Sequence, residues 1–180
     1  MNKHDPLLKV RLDGDAVGPG KIPVALLLRF LTNLNKAFQR TGRVLTGTAE
    51  SLCRGPQPRS IKEEVALDLV LLTHGSPSAV LGFERRLSKP CLPGMDLGLD
   101  ILESALTGLS TVQQIGNTLP KGCDVGVLMA WRDAGTLFSQ GIEKIEFTLN
   151  HRKTLLAATF TPEGFTQIQE RIKGPQTNIR

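Results

Sequence analysis

The chain has 180 residues, of which 22 are Lys or Arg and 17 are Asp or Glu, for a formal charge of +5. A length of this order suits one domain with a sizeable core, and 40% apolar against 22% charged residues excludes wholesale disorder. With seven Phe, one Trp and no Tyr, the core must be mostly Leu, Val and Ile.

The opening residues, Met1 to Pro6, are polar and lead into a strand-like segment, so no secretory apolar region is expected. The longest apolar run, Val24 to Leu28, is broken by Arg29 and is far too short to span a bilayer. Cys53, Cys91 and Cys123 lack zinc-site spacing, and an odd count fits free thiols in a reducing compartment. The expectation is a soluble cytoplasmic protein.

Leu7 to Asp13 alternates Leu8, Val10 and Leu12 with Lys9, Arg11 and Asp13, a half-exposed first strand. Pro23 opens a helix to Arg40 with Leu27, Phe30, Leu31, Leu34 and Phe38 on one stripe, stopped by Thr41-Gly42. Thr46 to Ser60 reads as an exposed loop. Val65 to Arg86 reads as a hairpin, with Val65, Leu67, Leu69 and Leu71 on one face and Gly75-Ser76-Pro77 at the turn. A second connector runs from Ser88 to Gly98, and a second helix spans Leu99 to Ile115.

Asp124 is placed to cap a third helix reaching about Phe138, with Val125, Leu128 and Met129 inward. Glu143 to Asn150 and Thr154 to Thr161 form a second hairpin around a turn at 150–153. Thr161-Pro162-Glu163 then starts a last helix, since a hydroxyl cap, a first-turn proline and an acid near the positive dipole end all favour it. Gly174-Pro175 ends it. The order β-α-ββ-α-α-ββ-α predicts one α+β domain over residues 1–174, with 175–180 as a tail or linker start. The fold expected is two-layered: an antiparallel sheet of two hairpins and the N-terminal strand, with helices on one face. Should both sheet faces prove apolar, the uncovered one is expected to be a partner interface.

Tests for chemistry return little. Gly18-Pro19-Gly20-Lys21 resembles the end of a phosphate loop, but Asp15 and Ile22 stand where a Gly and a hydroxyl belong, so a turn is expected. His74-Gly75-Ser76 lies in a hairpin turn, unlike the strand-to-helix turn that exposes a nucleophile. Asp96, Asp100 and Glu103 share one helical face, the residue type and spacing for a divalent cation, but also for a solvated helix start. Trp131 is expected in the core or at a domain boundary.

Charge is the stronger signal. From Lys36 to Lys62 stand six bases, Lys36, Arg40, Arg43, Arg54, Arg59 and Lys62, against the acid Glu50. With Arg85, Arg86 and Lys89 after the hairpin they are candidate phosphate contacts, giving affinity without sequence readout. Little aromatic interleaving accompanies them, so base stacking is poorly supported.

The helix ending LLRFLTNLNKAFQRTG, the strand leading into THGSPS, and the strand pair ahead of TPEGF together resemble a family of uncharacterised bacterial proteins. Genes of that family can lie beside toxin-type genes, PIN-domain ribonucleases among them. The resemblance implies an N-terminal module followed by a small β-rich domain, which this chain, stopping soon after Gly174-Pro175, is expected to lack. It implies no activity and no functional residues.

The function expected is a non-catalytic cytoplasmic interaction module that binds a protein partner or itself, with no cofactor and no membrane. One alternative is an accessory nucleic-acid binder using Arg40, Arg43, Arg54, Arg59, Lys62, Arg85 and Arg86. Another is a metal-dependent hydrolase using Asp96, Asp100 and Glu103.

Overall fold

A computed structural model describes residues 5–18, 21–47, 51–52, 56, 58–72, 78–86, 92, 94–116, 118–151 and 154–174, with the side chains of 71 and 72 excepted. Leu8, Val10 and Leu12 are fully buried while Lys9, Arg11 and Asp13 between them are half-exposed, so β1 (Leu8–Asp13) has one face inward. It is the central strand of an antiparallel sheet. The hairpin of β2 (Leu67–Leu72) and β3 (Ala79–Arg85) flanks it on one side, and that of β4 (Lys144–His151) and β5 (Thr154–Phe160) on the other. The order is β2-β3-β1-β4-β5.

Five helices complete the chain: α1 (Val24–Leu45), α2 (Arg59–Glu64), α3 (Leu97–Val112), α4 (Val125–Gly135, continued by a 3-10 turn to Gln140) and α5 (Pro162–Lys173). They meet the inward row of the sheet around Trp131. Its ring stands edge-on to Phe38 at 6.4 Å, Phe147 at 5.9 Å and Phe160 at 6.2 Å, the geometry aromatic quadrupoles favour. The fold is therefore α+β in two layers. The opposite sheet face carries Arg11 on Asp13 at 3.1 Å and Lys144 on Glu146 at 2.9 Å. It is charged at its centre, so the condition that would have made it an apolar interface is not met.

The caps follow their sequence signals. Asp124 accepts from the Val127 N–H at 3.0 Å, and Thr161 from the Gly164 N–H at 3.1 Å. Several expected boundaries are corrected. Thr41-Gly42 does not stop α1, which continues to Leu45: Gly42 lets Ile61 and Ile101 approach so closely that a Cβ would lie 2.8 Å from each. The end of the expected loop is helix α2, held because Ile61 is buried, and Val65 follows that helix instead of joining β2.

β2 contains a bulge at Val70. Leu69 pairs with Phe83 but Leu71 pairs with Gly82, so the backbone register shifts by one residue there. Asn150 and His151 extend β4, and Ile115 lies beyond α3, fully in solvent. Val125 points outward while Val127, Ala130 and Trp131 join Leu128 inside. The turns at 75–77 and 152–153 and the tail 175–180 lie outside the described residues. No helix among the described residues is long and apolar enough to cross a membrane.

Candidate functional site

At the β2 edge the helical layer leaves the sheet incompletely covered. Leu69 belongs to the row facing the helices, opposite the buried Phe83, yet is 47% exposed. Between α1 and β2 runs an open groove of about 480 Å³, with Leu31, Phe38, Leu67, Leu69 and Phe83 among its apolar lining. That size lies in the range of small-molecule and side-chain pockets. Thr32, Asn35 and Gln39 of α1 supply polar groups along one wall. Lys62 and Arg86 supply the charge, and no acid lines the groove among the described residues.

Positions on α1 explain the wall. Phe30, Leu34 and Ala37 turn into the core, whereas Leu31 and Asn35 lie about 100–140° round the helix and Thr32 nearly opposite the core. Val24 and Leu28 are exposed, at 79% and 65%, one to two turns before them. The periodic pattern predicted one buried stripe; Leu31 proves to be its half-exposed flank and part of the groove.

Of the seven bases assigned to the nucleic-acid alternative, Lys62 and Arg86 share this groove. Arg40 turns toward α4, donating to the Gly126 carbonyl at 2.7 Å, and burial first of all lowers its pKa. Arg43 is buried and donates to the Pro56 carbonyl at 3.1 Å. Arg59 is exposed and paired with Glu63 at 2.7 Å, and Arg86 with Asp68 at 2.7 Å. Arg85 is the hub of a half-buried cluster, reaching Asp96 at 2.6 Å and Glu64 at 2.8 Å. Arg54, like Lys89, lies outside the described residues.

The three carboxylates of the helical-face motif do not converge on one point: two have separate structural partners and one faces solvent. Asp96 caps α3 through the Leu99 N–H at 3.2 Å and holds Arg85. Burial alone would raise its pKa, but the hydrogen bonds from Arg85 and Leu99 and the Arg85 charge outweigh burial and lower it. Asp100 is exposed, and Glu103 pairs with the ring of His151 from β4. No group of three His, Cys, Asp or Glu poised for a metal occurs among the described residues. Gly18 and Lys21 exchange backbone hydrogen bonds of 3.1 and 3.0 Å, and Pro19 and Gly20 lie outside the described residues. His74, Ser76, Cys53 and Cys91 lie outside the described residues, while burial pushes the Cys123 thiol up to about 12.

Sequence reasoning missed the groove, the His151–Glu103 contact and the Arg85 cluster. Each joins segments far apart in the chain, and only the sheet order brings them together. No protein-family model, curated protein or solved structure gives a significant match to the chain.

Proposed function

We propose that the protein is a non-catalytic interaction module that docks a protein partner, or a second copy, in the groove between α1 and β2. The observation that supports this reading is Leu69: an apolar side chain of the core-facing row, left 47% exposed beside Leu31 and Leu67 with two bases at the rim. Apolar floors with charged rims are the anatomy of protein interfaces. Of the candidate carboxylates, Asp96 caps α3 and holds Arg85 and Glu103 pairs with His151.

The test compares wild type with Leu69→Asp after gentle purification, by native mass spectrometry and sedimentation. A co-purifying protein or a dimer present in wild type and lost in the variant supports the reading. Leu155→Asp, at the far sheet edge where Leu155 is 68% exposed, should leave the association intact. A bare monomer in every case overturns it, and so does steeply salt-dependent oligonucleotide binding as the sole interaction.

A further inference from the structure

The shape and charge of the groove specify its occupant more closely, an inference that rests on the docking reading above. We propose that the occupant is an amphipathic α-helix of another protein, lying along α1 over β2 with acidic residues beside its apolar stripe.

Place argues for a helix. The half-buried Leu31 and Leu67 and the exposed Leu69 border the groove on the side of the sheet where the resident helices pack, so an added helix continues that layer. A strand joining the β2 edge would lie in the plane of the sheet, beside the groove rather than in it. The bulge at Val70 also interrupts the regular ladder such a strand would extend, a device that protects sheet edges from strand addition. The exposed Val24 and Leu28 lengthen the apolar wall of α1 by one to two turns, and a partner helix can set its ridges against that row.

Charge argues for an acidic partner and against a second copy. Lys62 and Arg86 are the charged residues lining the groove among those described, and Lys62 makes no ion pair there. A two-fold dimer sets the same patch of both copies face to face, so the Lys62 side chains would converge with no acid in the groove lining to meet them, Arg86 being already held by Asp68. A carboxylate-bearing helix removes that repulsion, and the chain's formal charge of +5 attracts it at longer range.

The experiment titrates full-length protein into three fluorescein-labelled peptides of about 18 residues, long enough to cover the α1 wall. All carry Leu at i, i+3, i+4 and i+7. One has Glu on the flanks, one has Lys, and one is the Glu peptide with two central prolines. The Glu helix should bind at least ~10-fold more tightly than the Lys helix and gain helical circular dichroism on binding. Lys62→Glu should narrow that preference, and Leu69→Asp should abolish binding. Leu28→Asp, at a site 65% exposed, should weaken binding with an unchanged melting temperature, which separates docking from folding.

Equal binding of the Glu and Lys helices, or equal binding of the proline peptide, overturns the proposal. A wild-type dimer broken by Leu69→Asp overturns it too, by making a second copy the occupant. Failure of all three peptides while Leu69→Asp still releases a co-purifying protein sinks this inference and leaves the docking reading standing. Failure of both tests removes both.

Discussion

Gly98, in the first turn of α3, sits where a Cβ would lie 2.4 Å from both the Glu64 carbonyl oxygen and the Arg85 guanidinium. Alanine would gain about 1 kcal/mol of helix propensity there, but overpacking against backbone costs roughly 1–3 kcal/mol and a displaced Arg85 adds to it. Gly98→Ala is therefore expected to destabilise by about 1–2 kcal/mol net, read by urea denaturation; a stabilised variant would show that α3 and α2 are not so close. Cys123 offers a kinetic check. Burial first, and the nearby Asp124 charge second, hold its thiol near 12, so almost none is thiolate at pH 8. Its alkylation by iodoacetamide, followed by mass spectrometry, should be at least ~10-fold slower in the folded protein than in urea.

Among the elements, the start of α4 is fastened more firmly than its cap alone requires. Asp124 accepts from the Val127 N–H at 3.0 Å, the Ser51 N–H at 2.8 Å and the Ser51 hydroxyl. Thr161, capping α5, accepts from Gly164. Thr161→Ala should cost about 1 kcal/mol, the ordinary value of a cap. Asp124→Ala should cost about 2–3 kcal/mol, because it also leaves the buried Ser51 hydroxyl without its acceptor. Equal losses in chemical denaturation would show that the Ser51 contact contributes nothing. Asp124 was legible as a cap from its position before an apolar run. Its second role was not, because Ser51 lies 73 residues away in a segment that reads only as loop.

For the molecule as a whole, two acids are expected to contribute to the acid limit of stability. Burial by itself would raise Asp13, but hydrogen bonds from Ser78 and Arg11 and the charges of Arg11 and Lys144 bring its pKa below the ordinary value. Asp96 is lowered in the same sense by Arg85 and its cap bonds. A carboxylate bound more weakly by protons when folded contributes stability above its unfolded pKa of about 3.9, and loses it as pH falls through the folded value. The melting temperature should hold steady from pH 7 to about 5 and then drop below about pH 4. Asp96→Asn should be less stable at pH 7 and show a shallower acid limb; an unchanged limb would place the acid sensitivity elsewhere.

The sequence by itself determined the α+β class, the two hairpins, β1 and the caps at Asp124 and Thr161, because alternation, helical stripes and capping are local physics acting within a few residues. It misjudged what happens where distant segments meet. Gly42 reads as a stop, yet Ile61 and Ile101 pack so closely that the helix continues through it. Arg40, Arg43 and Arg85 read as phosphate contacts, yet the fold satisfies them with carbonyls and carboxylates from other elements. Lys62 and Arg86, far apart in the chain, border one groove because β2 is an edge strand beside α1. Strand order and helix placement minimise exposed apolar area over the whole chain at once, and only the tertiary structure decides which apolar row is left uncovered.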